Sequence, residues 1–307
     1  MSGRASAWFA LLRASLAPTV LADLAAGVAL ASGAPGGLPQ VARFAPISLL
    51  LFGGGMALNA FVDRRHDALT RPERPLPSGR ISPAAALVAA LVGLAGAPLL
   101  AFVLAAAEAP ERARDAALAA LAVAGAIALY HTPLKRHGVV GPLLLGGVRA
   151  GDLLLGAVAV AGLAPGVAAA WPFAALHGLY VVGASLVAHE EDRAPRIGRA
   201  RAGVAIALAA IGGAGALALL DGPVAGAPQI ALVVALWQLF TLRRALQLFA
   251  AGAPGDVPLS AYARLLLSRL PLIPAIACFA AGAGDLGLFS IGVYWCVFFL
   301  VRYVPPT

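Results

Sequence analysis

The stretch Ile47-Ser-Leu-Leu-Leu-Phe-Gly-Gly-Gly-Met-Ala-Leu-Asn59-Ala-Phe-Val-Asp63-Arg-Arg-His-Asp67 runs without a break from apolar residues into charged ones. Its apolar part belongs to a span at 44–61 that, with its flanks, is about long enough as a helix to cross a hydrocarbon core of ~30 Å. Comparable spans recur at roughly 15–32, 84–107, 114–130, 139–162, 168–188, 202–220, 228–244, 262–282 and 286–302. Of 307 residues, 61% are hydrophobic and only 12% charged, against about 25% charged in ordinary soluble domains. No soluble fold hides that much apolar surface. The expected fold is therefore an all-α integral membrane protein, a bundle of nine or ten transmembrane helices. Residues 1–307 form one domain, because the longest polar stretch, Asp63 to Ser82, has only 20 residues.

The 35 glycines read as packing surface, since small residues let apolar helices approach closely. The net charge of +8 does not point to nucleic acid, because the arginines gather in short segments between apolar runs. Arg64, Arg65, Arg71, Arg74 and Arg80 follow the second span, Lys135 and Arg136 the fourth, and Arg193, Arg196, Arg199 and Arg201 the sixth. The positive-inside rule puts these three loops in the cytosol, in a multi-pass protein of the inner membrane whose N-terminal apolar stretch stays as its first helix. Past the third loop Arg243, Arg244, Arg264 and Arg269 interrupt the pattern, which leaves the count at nine or ten. Cys278 and Cys296 lie in apolar segments without ligand spacing and read as inert packing residues.

Asn59, Asp63 and Asp67 recur at i, i+4 and i+8, which on a continued helix sets them along one stripe. Like charges four apart oppose helix formation by a few tenths of a kcal/mol unless a cation sits over them. Mg²⁺ bridging to a diphosphate is such a cation, because magnesium is held by one or two carboxylates together with substrate phosphates. A solvated helix end is the alternative for a bare pair of aspartates. Here the loop continues Arg71-Pro-Glu-Arg74-Pro-Leu-Pro77-Ser-Gly79-Arg80-Ile-Ser82, where prolines fix an extended path and arginines can face a phosphate. Ser82-Pro83 reads as a helix N-cap followed by proline at the first helical position.

The combination of NxxxDxxxD with RPERPLPSGR resembles the first signature of the UbiA superfamily of membrane prenyltransferases. That resemblance implies helices around a central chamber open to the cytosolic loops and to lipid. It also implies that Asp63 and Asp67 hold Mg²⁺ on an isoprenoid diphosphate, with Asn59 as an accessory ligand or diphosphate contact. The fourth span ends Tyr130-His-Thr-Pro-Leu-Lys135, similar to the family's Tyr and Lys on the second loop, which help to bind the diphosphate. A positive-inside anchor is the other reading of Lys135. Arg149 and Asp152 stand at i,i+3 inside an apolar span, where each costs roughly 2.5–3.5 kcal/mol at a helix centre. They either neutralise one another or serve the site, lining the substrate chamber or steadying the first-loop carboxylates, with Arg149 as a diphosphate contact.

The third loop, Ser185-Leu-Val-Ala188-His189-Glu190-Glu191-Asp192-Arg193, departs from the family's second acidic motif, because Ala188 stands where the first acid belongs. Glu190, Glu191 and Asp192 supply carboxylates for a second metal site or else form a solvated acidic turn. With RASLAPTVLADLAAG and GPLLLGGVRAGDLLLG, this departure resembles the EboC-like branch of the superfamily. The expectation is a Mg²⁺-dependent prenyltransferase that moves an isoprenoid chain from its diphosphate to an aromatic or lipid-forming acceptor in the membrane. Asp63, Asp67 and the cluster of Glu190, Glu191 and Asp192 hold metal and diphosphate, and Lys135, Arg74 and Arg193 neutralise the leaving group. The alternative is an isoprenoid or metabolite carrier or scaffold of the same fold that has lost transfer.

Overall fold

The computed structural model describes residues 3–33, 37–190, 197–221, 227–243 and 259–303, which are helices and short connections. A short helix α1 (Gly3–Leu11) leads through a turn into α2 (Pro18–Ser32) and the long α3 (Leu38–Thr70). Then come α4 (Pro83–Ala106), α5 (Ala113–Tyr130), α6 (Val140–Ala161) and α7 (Leu163–His189). The remainder is α8 (Ile197–Asp221), α9 (Ala227–Thr241), α10 (Leu259–Leu267), α11 (Leu272–Ala280) and α12 (Gly284–Tyr303). Among the described residues eight segments are long and apolar enough to cross a membrane, with α10 and α11 counted as one of them, and α2 and α9 are shorter apolar helices. Together they stand where the sequence places its ten spans. Only α1 was not expected.

From α2 to α9 helices adjacent in sequence pack against each other, and α2 closes the ring by touching α3, α6, α7, α11 and α12. The four most extensive helix contacts, α6 with α7, α3 with α4, α2 with α6 and α7 with α8, are each built on a facing pair of glycines. These are Gly146 and Gly178, Gly54 and Gly93, Gly27 and Gly156, and Gly183 and Gly203. A Cβ added to Gly27 would lie 1.9 Å from the Leu153 carbonyl oxygen, and one on Gly156 would lie 2.4 Å from that of Leu24. The backbones thus meet at distances that no side chain permits, which raises the dispersion contact that holds apolar helices together in lipid. Residues such as Leu99, Leu91 and Val103, at 70%, 59% and 60% exposure, cover the outside with apolar surface. Cys278 is buried, whereas Cys296 is exposed on this outer face rather than packed inside.

The break between α10 and α11 explains the arginine that interrupts the apolar pattern there. Arg269 donates to the Leu265 carbonyl at 2.8 Å and to Thr241 Oγ1 at 3.1 Å, so its charge lies over the carbonyl end of α10. Tyr180 donates its hydroxyl to the Leu266 carbonyl at 2.7 Å. The Leu265 carbonyl is satisfied by the Arg269 side chain where the helix stops, and that of Leu266 accepts from both Tyr180 and Arg269 N.

Candidate functional site

The helix α3 does not stop at the apolar boundary but continues to Thr70, so Asn59, Asp63 and Asp67 do share a helical stripe. After it, residues 71–82 fold back in tight turns, with Ser78 N donating to the Arg74 carbonyl and Ile81 N to that of Pro75. Gly79 takes a left-handed φ of 73°, and the Ser82 hydroxyl accepts from Ala85 N at 3.2 Å to cap α4. Leu76 and Ile81 anchor this loop in a small core with Ala7 and Leu11 of α1, Ala57 of α3, and Ala86 and Ala90 of α4. The helix that the sequence did not announce thus pins the loop that carries Arg74.

That pinning sets the electrostatics. Arg74 places one guanidinium nitrogen 3.0 Å from both oxygens of Asp67, a carboxylate only 3% exposed. From the turn after α5, Lys135 brings its ammonium to 2.6 Å from each oxygen of Asp63 and 3.4 Å from Asn59 Oδ1. Charge-assisted contacts of this length are among the stronger polar interactions in proteins. The repulsion expected along the stripe is therefore relieved by two cations of the chain itself. Arg80 turns away, donating to the Glu73 carbonyl and to Ser78 Oγ.

Arg13 completes the site. It lines an open cleft together with Asn59, Asp67, Arg74 and the prolines 75 and 77. Burial first, and then Arg74, disfavour its cation, while Tyr130 and Asp67 favour it. The sequence offered one signal for it, an arginine at the entrance of the first span, and its partners could not be read from spacing. Tyr130 lies edge-on to His131 at 5.0 Å between ring centroids. Burial, followed by the Lys135 charge, holds His131 down to about 4, so it is neutral near pH 7.

The third loop meets the same end of the bundle, since a side chain at Gly138 would come within 2.5 Å of the Arg199 guanidinium. Glu190 is 2% exposed and pairs with Arg199 at 3.0 Å. Glu191, Asp192 and Arg193 lie outside the described residues. Arg149, expected beside the chamber or the first-loop carboxylates, belongs to a separate buried cluster. It pairs with Asp23 of α2 at 2.8 Å, Asp23 also faces His177 Nε2 at 3.0 Å, and Ser48 donates to Asp152 at 2.7 Å. Ser48 precedes Asp63 by 15 residues of one helix, or ~22 Å at 1.5 Å per residue. The cluster thus sits near the middle of the span, far from the stripe.

Asn59, Asp63 and Asp67 offer hard oxygen donors of the kind magnesium takes. Among the described residues no three of His, Cys, Asp or Glu gather to hold a metal by themselves. The donor set fits an ion that draws its remaining oxygens from a phosphate.

The profile of the UbiA prenyltransferase family matches residues 16–269. The digeranylgeranylglyceryl phosphate synthase of Halobacterium salinarum is 30% identical over 258 residues, covering 82% of this chain and 88% of that protein. Its namesake from Ignicoccus hospitalis is 35% identical over 162 residues, so the chain matches about half the length of that relative, 49%. A solved structure described as a digeranylgeranylglyceryl phosphate synthase in membranes superposes with a TM-score of 0.58 at 17% identity, over 95% of this chain and 99% of that one. The acidic stripe on an overlong second-span helix, the arginine loop folded over it and the match along most of the sequence agree that the chain belongs to the UbiA prenyltransferase family.

Proposed function

We propose that the chain is a Mg²⁺-dependent membrane prenyltransferase that moves an isoprenoid from its diphosphate to a lipid-forming or aromatic acceptor, as one domain. The observation that carries this reading is the convergence of Asn59, Asp63 and Asp67 with Lys135, Arg74 and Arg13 at one end of an apolar bundle. The relatives' names favour a glycerol-phosphate lipid as acceptor over an aromatic one. The arginine-rich loops support a cytosolic placement of this end, in a protein proposed for the inner membrane.

When bound, Mg²⁺ would supply Lewis-acid stabilisation of the departing diphosphate. Asp63 and Asp67 would hold it, with Asn59 accessory to them. Lys135, Arg74 and Arg13 bind and orient the diphosphate oxygens, and Tyr130 lies close enough to Arg13 and Asp63 to share their field. Glu190 lies at this end of the bundle, paired with Arg199, and on the family resemblance Glu191, Asp192 and Arg193 would join it in holding metal and diphosphate. Preorganised cations of this kind act where charge develops as the carbon–oxygen bond breaks, and the apolar helices keep water from the allylic cation.

The test is transfer by the purified, lipid-reconstituted protein from labelled isoprenoid diphosphates to glycerol-phosphate lipid or aromatic acceptors. Diphosphate release should require Mg²⁺ and fall on the order of 10²-fold or more in Asp63→Asn. Ala188 favours a second reading, a carrier that binds without transfer; tight binding with no diphosphate release at any acceptor would select it and sink the first.

A further inference from the structure

The acidic stripe already has a cation. Lys135 Nζ touches both oxygens of Asp63 and Asn59 Oδ1, which are three of the oxygens that the prenyltransferase reading gives to the metal. Both side chains of the pair are largely enclosed, at 11% and 18% exposure. Lys135 is also the only lysine in the chain: every other one of its 22 basic residues is an arginine. An ammonium is a compact point charge with three donors, so it can sit where three oxygens converge, as a small metal ion does, whereas a planar guanidinium cannot. Lys135 reaches this place from a short 3₁₀ turn, Pro133–Arg136, started by Thr132 Oγ1 accepting from Leu134 N. Its four-carbon stem can swing without unwinding a long helix.

Charge decides what can displace it. Asp63 and Asp67 are balanced by Lys135 and Arg74, with Arg13 and Arg71 adding positive potential nearby. A divalent metal arriving alone would put two more positive charges into an enclosed site and leave the ammonium facing it without a partner. A trianionic prenyl diphosphate arriving with the metal reverses the balance. Its oxygens take over Lys135 and Arg74, and the carboxylates are released to the metal.

We infer that Lys135 is the resident cation of this site, holding the metal's place until a diphosphate draws it off, so that metal and diphosphate bind only together. This rests on the diphosphate reading above and adds the order in which that site fills.

The experiment measures Mn²⁺ retained on the full-length protein in detergent by ultrafiltration, with and without inorganic diphosphate, for the wild type, Lys135→Met and Lys135→Met/Asp63→Asn. Wild type should retain Mn²⁺ only when diphosphate is present. Lys135→Met should retain it alone, with an affinity at least ~10-fold above that of wild type, and the added Asp63→Asn should abolish this gain. Wild type that binds Mn²⁺ equally with and without diphosphate would overturn the inference and leave the diphosphate reading standing. No retention in any protein under any condition would remove the metal reading, and the inference with it. Should Lys135→Met not fold, amine labelling of wild type followed by peptide mass, which separates Lys135 from the N-terminal amine, reports on its single lysine. Mn²⁺ alone should leave the Lys135 labelling rate unchanged, and an acceleration by Mn²⁺ alone would show the ammonium displaced and overturn the inference.

Discussion

Arg13 holds a left-handed backbone, φ 46°, the one non-glycine residue among those described to do so. The conformation costs an ordinary side chain about 1 kcal/mol or more, and here it turns the chain from α1 into α2 while its side chain lines the cleft. Two substitutions separate the strain from the charge. Arg13→Gly should be about 1 kcal/mol more stable than Arg13→Ala in detergent melts, yet both should raise KM for the isoprenoid diphosphate alike. Equal stability would show the backbone to be unstrained, and an unchanged KM would remove the arginine from the site. His131 gives a pH dependence. Its folded value, about 4, lies below the 6.5 of an ordinary imidazole, so as pH falls the unfolded chain takes up the proton first. Stability present above 6.5 is lost progressively toward 4. The melting temperature in detergent should therefore drop between pH 7 and pH 5, and His131→Asn should flatten that drop. At this scale the sequence named Asp63, Asp67 and Lys135 but not their mutual contact, because periodicity orders residues along a helix and is silent about which loop returns to meet them.

Among the elements, α2 and α6 show best what spacing hides. Arg149 and Asp152 share a face of α6 and suggest a local pair; the structure instead gives Arg149 to Asp23 across the Gly27 and Gly156 contact, and Asp152 to Ser48. The glycines make this possible by bringing the two backbones close enough for the charges to meet. Removing one partner strands a buried charge, so Asp23→Asn should cost about 3–5 kcal/mol. Replacing both, Asp23→Leu with Arg149→Met, should recover much of that loss, as read from thermal unfolding in detergent. A double variant no better than Asp23→Asn would mean that the ions do more than neutralise each other. Gly156→Leu would drive a side chain into the Leu24 carbonyl and should prevent folded protein from appearing on size exclusion at all. The apolar helices themselves were legible from composition, because a bilayer demands long apolar runs, though two of the expected spans, α2 and α9, are shorter than a full crossing. α1 was not, because nine residues tucked beneath a loop need no such run.

For the whole molecule, the exposed apolar surface is the side that faces lipid. Trp171 and Trp295 lie on it at 57% and 44% exposure. In vesicles containing brominated phospholipid their fluorescence should be quenched, and replacing both with phenylalanine should remove most of the quenching. Quenching that persists unchanged would place other tryptophans at the lipid. The family is legible at this scale from two loops, while the EboC-like branch rests on short motifs and on a third loop whose acidic residues beyond Glu190 fall outside the described structure. One dimension of the bundle has a consequence for traffic in the bilayer. Helix α3, at 33 residues, is ~50 Å long, against a hydrocarbon core of ~30 Å. The turns that bear Asp63 and Asp67 therefore overhang at headgroup depth on one side only. A lipid worked on there would arrive and leave through the same leaflet, and populating the opposite leaflet would fall to a separate flippase.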